Sequence, residues 1–168
     1  MNMMSDEGLL TLSAPDSADG FGVHQLIARC KPLDENSVYC NLLQCDHFSA
    51  TSVIAKRGDD VVGFISGYLI PDRPDTLFVW QVAIDESARG QGLATKMLRH
   101  ILGRPALSGV QYLETTITAD NDASWALFTR YAEKMNAQAE KTEHYGKESH
   151  FNGEHDSEWL YRIGPFNA

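Results

Sequence analysis

The run Val82-Ala83-Ile84-Asp85 has the look of a strand, and it leads through Glu86-Ser87-Ala88-Arg89 into Gly90-Gln91-Gly92-Leu93-Ala94-Thr95, where a helical pattern opens. A strand, a glycine-bearing loop and a helix N-terminus together make an anion site. Glycine lets the backbone approach a ligand, successive N–H groups face one concavity, and the helix end adds roughly half a positive charge. The spacing from Arg89 to Ala94, R-x-x-G-x-A, is neither the dinucleotide fingerprint G-x-G-x-x-G nor a Walker loop. A pyrophosphate outside those two classes is the expected guest. A tight strand-to-helix turn that merely needs glycine is the plainer alternative. Its weight falls because the pattern sits between an apolar strand and an amphipathic helix.

The elements needed to hold this loop are legible around it. Leu9 to Ser13 reads as a short strand, and Pro15-Asp16-Ser17-Ala18-Asp19 as a turn able to cap a helix. Val23, Leu26, Ile27 and Cys30 recur at helical spacing, and a second helical stretch runs from Ser37 to Phe48; the loop between them holds Asp34 and Asn36. Val53 and Ala55, the turn Gly58-Asp59-Asp60, and the run Val61 to Ile70 predict a hairpin. After Pro71 and Pro74 comes a strand over Leu77 to Ile84, then a helix over Gly92 to Leu102 and a strand over Val110 to Thr118. A helix follows from Asn121 to Met135, capped by Asn121 or Asp122. Glu140 to Asp156 is polar and less regular, with one optional strand, and a last strand, Glu158 to Ile163, closes on Gly164-Pro165. This order predicts one α/β (α+β) domain over 1–168, a mixed central sheet flanked by helices on both faces, with 1–8 as a flexible leader.

Composition narrows the partners. With 168 residues, a net charge of −9 and a pI near 5.0, the chain lacks the Lys and Arg surplus that a phosphate backbone requires, so no nucleic-acid partner is expected. A cationic small substrate suits this field better, although many enzymes are acidic simply to stay soluble. Cys30, Cys40 and Cys45 leave one thiol over in any disulfide scheme and form no zinc pattern, so reduced thiols, no metal and a cytoplasmic location are expected. No apolar run approaches a membrane span, and the start, with Asp6 and Glu7, does not resemble a targeting leader.

The loop from Arg89 to Ala94 resembles the acetyl-CoA loop of the GNAT acetyltransferases, and Asn121-Asp122-Ala123-Ser124, after the next strand, resembles the start of their CoA-facing helix. Longer strings resemble the diaminobutyrate acetyltransferase family within that superfamily: Phe78-Val79-Trp80-Gln81-Val82-Ala83, Leu113-Glu114-Thr115-Thr116-Ile117-Thr118 through Phe128, and Leu160-Tyr161-Arg162-Ile163-Gly164-Pro165-Phe166. They cover most of the chain from Lys31 onward. The resemblance implies the GNAT fold, acetyl-CoA as co-substrate, a homodimer, and acetyl transfer to the 4-amino group of L-2,4-diaminobutyrate on the way to ectoine. It implies cofactor contacts at Val82, Ile84, Arg89, Gly90, Gln91, Gly92, Leu93, Ala94, Thr95, Asn121, Ser124 and Phe128. One departure stands out: many GNAT enzymes carry a tyrosine seven residues after the helix-opening Asn, as acid for the leaving thiolate, and this chain has Phe128 there. Tyr131, one turn on, is a substitute acid or a core ring.

An amine attacks a thioester only as the free base, so a carboxylate or histidine must take its proton directly or through water. Asp34, His155 and Glu158 are the candidates. Glu158 opens an otherwise apolar strand and reads as substrate anchor and base, or as a strand-edge charge facing water. Asp34 reads as a ligand for the second ammonium or as the cap of the helix near Ser37. Trp80 is a cation–π wall for the substrate or a core ring, and His155 a ligand, a base or an exposed loop residue. Glu114 lines the acceptor side or faces solvent at an alternate strand position. Acetyl transfer to another small amine is the competing enzymatic reading, and an acyl-CoA-binding regulatory module without turnover is the competing reading from another class.

Overall fold

The structure is a computed structural model and describes residues 9–166, so the leader expected over 1–8 lies outside the described residues. In chain order the elements are β1 (Leu10–Ser13), α1 (Gly20–Arg29), α2 (Val38–Asp46), β2 (Val53–Arg57), β3 (Asp60–Ile70), β4 (Arg73–Ile84), α3 (Leu93–Leu102), β5 (Tyr112–Thr118), α4 (Asp122–Lys134), β6 (Ala139–Tyr145) and β7 (Glu158–Ile163). Strand order in the sheet is β1-β2-β3-β4-β5-β7-β6. The β4–β5 pair is parallel, whereas β1–β2, β2–β3, β5–β7 and β6–β7 are antiparallel, so the mixed sheet expected from the sequence is present. By contact density the chain forms two compact units, residues up to Tyr68 with Gln81–Ser108, and Leu69–Trp80 with Gly109 onward.

In the first unit, consecutive residues of β3 face opposite sides, as the strand pleat requires. Phe64 joins Val23, Leu26, Ile27, Cys30, Cys45, Ile54 and Ala83 in one buried cluster under α1 and α2. Its neighbour Gly63 faces α3, and a Cβ there would stand 3.0 Å from the Met97 sulfur. Helices therefore cover both faces of these strands. A 3-10 turn, Ser17–Asp19, leads into α1 and carries a reciprocal cap: Asp16 accepts from the Ala18 N–H at 2.8 Å, and Asp19 accepts from the Asp16 N–H at 2.9 Å. Burial, with Asp19 and Asp16 nearby, pushes the Cys45 thiol up to about 12, so this cysteine is inert packing.

In the second unit α4 lies on one face of β5 and β7. Trp125 meets Tyr161 edge-on at 5.3 Å, and the fully buried Tyr131 meets Phe166 edge-on at 6.2 Å. Gly164 adopts φ 137°, and a Cβ would lie 2.5 Å from the Gln111 carbonyl oxygen, so glycine is required at this crossing.

One expectation fails here: strand β4 begins at Arg73 and not at Leu77. The optional strand of the polar stretch is present as β6, whose seven residues are all exposed. With neither face of β6 covered, its sequence carries no apolar alternation.

Candidate active site

In the first unit, the end of β4 passes into a turn that Asp85 organises. Its carboxylate accepts from the Ser87 N–H at 3.1 Å, the Ser87 hydroxyl at 2.5 Å and the Arg29 Nε at 3.2 Å. The Ser87 hydroxyl first, and Arg29 after it, hold the Asp85 carboxyl below its usual range against a modest burial cost. The Ile84 carbonyl accepts from Arg89 Nε at 3.0 Å, which folds Arg89 back along the loop. Gly90 and Gly92 then take left-handed φ values of 78° and 70°, where a side chain is strained, and a Cβ on either would point into open space. No neighbouring protein closes over the loop at these two positions. Gly92 is the N-cap of α3 and offers no side chain to its first N–H groups. Leu93 and Thr95 are buried, 4% and 3% exposed, and belong to the core-facing side of α3.

The loop joining α1 to α2 belongs to the same unit. Asp34 is exposed. It does not cap α2: the Ser37 hydroxyl does, accepting from the Cys40 N–H at 3.0 Å. That removes the capping reading of Asp34. The loop is fastened by Gln81 of β4, whose Nε2 donates to the Asp34 carbonyl at 3.1 Å and whose Oε1 accepts from Asn36 Nδ2 at 3.3 Å. Sequence reasoning missed Gln81, although it lies inside one of the family-like strings.

In the second unit, the β4–β5 ladder covers Thr76↔Tyr112, Leu77↔Leu113 and Phe78↔Glu114; beyond it the Thr115 hydroxyl donates to the Val79 carbonyl at 3.0 Å. Trp80, just past the ladder, is 45% exposed, which rules out the core reading. At the far end of β5, Thr118 pairs with Glu158, which β6 also flanks through Tyr145. Glu158, the first residue of the antiparallel β7, is half-buried beside the carboxyl end of β5, the end of parallel strands where open sheets bind ligands. Asn121 caps α4 by accepting from the Ser124 N–H at 3.2 Å. His155 sits in the β6–β7 connection with its ring 4.5 Å from that of Phe151, and its Nδ1 donates to the Asp156 carbonyl at 2.6 Å. In the neutral ring this leaves Nε2 as the acceptor.

Three expectations change. Glu114 neither faces solvent nor stands free: it is 2% exposed and accepts from Arg73 at 2.8 and 3.0 Å and from Arg162 at 2.9 Å. Burial alone would raise its pKa, but the two guanidinium groups outweigh it and leave the carboxyl below its ordinary value. Arg162 also stacks 3.7 Å from the Tyr112 ring. Neither arginine was singled out from sequence, though an arginine and a glutamate in otherwise apolar strands are a signal for such pairing. Phe128 is 2% exposed and Tyr131 fully buried, so both rings pack in the core of this unit. Among the described residues no group of three or more His, Cys, Asp or Glu could hold a metal ion, and no helix is long and apolar enough to cross a membrane.

The family model described as Acetyltransferase (GNAT) family matches residues 21–132. The L-2,4-diaminobutyric acid acetyltransferase of Methylotuvimicrobium alcaliphilum is 56% identical over 160 residues, 95% of this chain and 93% of that protein. That of Vibrio cholerae is 48% identical over 149 residues, 89% of this chain and 86% of the relative. Among solved structures, the diaminobutyrate acetyltransferase of Paenibacillus lautus, in complex with its substrate L-2,4-diaminobutyric acid and coenzyme A, superposes with a TM-score of 0.89 at 42% identity. The match covers 95% of this chain and 97% of that one. The ribosomal-protein-S18-alanine N-acetyltransferase of Escherichia coli shares the fold at a TM-score of 0.67 and 16% identity, over 95% and 96% of the two chains. With the family model matched over residues 21–132 and relatives alike over nearly their whole length, the chain belongs to the GNAT acetyltransferases and, within them, to the L-2,4-diaminobutyric acid acetyltransferase family.

Proposed function

We propose that the chain moves the acetyl group of acetyl-CoA to the 4-amino nitrogen of L-2,4-diaminobutyrate, giving N4-acetyl-L-2,4-diaminobutyrate, the compound that ectoine synthase cyclises. The observation that carries this reading is the end-to-end match to a relative whose structure holds diaminobutyrate and coenzyme A. Acetyl-CoA supplies an activated thioester carbonyl. The N–H groups from Arg89 to Thr95 hold its pyrophosphate, while Asn121 and Ser124 border the pantetheine arm. The Val82 N–H, on β4, stabilises the carbonyl oxygen as negative charge develops on it. Asp34 receives the ammonium that does not react; the exposed Trp80 ring serves as a substrate wall, able to add about 0.5–2 kcal/mol of cation–π attraction to a cationic group. Glu158 takes the proton of the reacting amine, with His155 Nε2 as a second acceptor in that loop region. The C–N bond forms and the C–S bond breaks. Because Phe128 and Tyr131 are core rings, the proton needed by the leaving thiolate returns from the base side through water. The enzyme works as one domain in the cytoplasm, a reading supported by three free cysteines, and as a homodimer, supported by the uncovered strand β6.

The test is steady-state release of free CoA with L-2,4-diaminobutyrate, ornithine, lysine, spermidine and a short peptide, the acetyl position being assigned by NMR. Strong preference for diaminobutyrate with the acetyl group on the 4-nitrogen is expected. Preference for another amine would overturn the substrate assignment, and no thiol release with any amine would leave an acyl-CoA-binding module. In the same assay Gly92→Val is expected to raise KM for acetyl-CoA about tenfold or more. A β-branched residue at φ 70° costs roughly 1–2 kcal/mol and fills the space left for the ligand. An unchanged KM would remove the pyrophosphate from this loop.

A further inference from the structure

We infer that Gln81 is a positioning residue for the acceptor amine, acting through the loop that carries Asp34, and this rests on the reading of Asp34 as an ammonium ligand. Between Leu33 and Ser37 the chain has left α1 and has not begun α2. The last backbone bond before this stretch is Leu33 N–H to the Cys30 carbonyl at 3.0 Å, and the first after it is Asn41 N–H to Ser37. The ion pair Lys31–Glu35, at 3.6 Å with both side chains largely exposed, is of the kind that adds little order. The two ends of the Gln81 amide are what fasten this stretch: one donates to the Asp34 backbone, the other accepts from the Asn36 side chain. Gln81 itself is rigid, since it lies on β4 between the exposed Trp80 and the half-buried Val82, with Ala83 in the core. A carboxylate on an unfastened loop samples many positions, and a substrate must then order the loop as it binds; a carboxylate fixed from a strand is preorganised.

No other side-chain type of that length serves both ends. Glutamate could accept from Asn36 but, when ionised, cannot donate to the Asp34 carbonyl, and leucine does neither. The function assigned to Gln81 is therefore to fix where the acceptor's ammonium is received, without touching the acetyl donor.

The experiment compares Gln81→Leu, Asp34→Asn and the double variant in the full chain, reading KM for diaminobutyrate, KM for acetyl-CoA and the thermal midpoint. Gln81→Leu is expected to raise KM for diaminobutyrate about tenfold, as the loss of two neutral hydrogen bonds allows, with KM for acetyl-CoA unmoved. In the Asp34→Asn background the same substitution should add less than about twofold, because the group it positions is gone. Full additivity, an equal rise in both KM values, or no rise at all would overturn the inference. If Asp34→Asn alone leaves KM for diaminobutyrate unchanged, the ammonium reading of Asp34 fails and the inference falls with it; a weakened Asp34→Asn beside an unaffected Gln81→Leu sinks the inference alone. Gln81→Glu guards against misfolding: it keeps size and polarity, and it should reproduce the rise in KM for the amine.

Discussion

Glu114→Ala is expected to destabilise the protein by about 1–3 kcal/mol, the loss typical of breaking buried hydrogen bonds to a charged group whose partners keep access to water. The reason lies in what remains. Arg73 and Arg162 converge on one carboxylate that is 2% exposed, and without it both lose their hydrogen-bonded anion, Arg73 keeping only the more distant charges of Asp72 and Asp75. A shift in the denaturation midpoint corresponding to less than about 1 kcal/mol would show that solvent or another anion compensates, and the network would count as a surface pair. The same site sets a pH dependence. Because the carboxyl is held below its ordinary value when folded, its contribution is complete above the unfolded value of about 4.3 and is lost as pH falls through the lower folded value. Glu114→Gln should remove that acid-side dependence, so its stability curve below about pH 4 is expected to be flatter than that of the parent.

Glu158→Gln should lower kcat by about 10²–10⁴-fold while leaving KM for acetyl-CoA within about twofold, the range expected when a general base is removed. Glutamine keeps the shape and the strand pairing with Thr118, so the change isolates proton acceptance. In the parent, the acid limb of kcat/KM contains both the base and the substrate amine. In the variant only the amine should remain. A drop smaller than about threefold would transfer the role of base elsewhere, with His155 Nε2 next in line.

How far the sequence could be read depended on whether the signal was local. The hairpin at Gly58-Asp59-Asp60, the onset of α3 after Gly92, the Asn121 cap and the bounds Glu158–Ile163 all came through as expected. Each rests on neighbours within a few positions: a turn residue, a cap, or an alternating face. What was not legible arises from residues far apart. Glu114 meets partners 41 and 48 positions away, and Gln81 fastens a loop 45 and 47 positions away, so no spacing rule announces either. Asp34 was offered two roles because Asp and Ser are both good caps; the structure gave that role to Ser37. Strand β4 was cut short at its start because Arg73, Pro74 and Asp75 read as turn chemistry, although the chain was already extended there.

The exposed strand β6 has a further consequence, for how molecules of this protein meet one another in a crowded solution. An open sheet edge is a template on which any extended segment can add. Along this one the sequence Ala139-Glu140-Lys141-Thr142-Glu143-His144-Tyr145 places charge on three of its seven positions, and Lys141 is held over the Trp125 and Trp159 rings at 4.5 and 5.1 Å. A stranger strand laid along this edge would have to strip water from both glutamates with nothing to repay the loss. An edge of that kind discourages indiscriminate aggregation and admits only a surface that answers its charges.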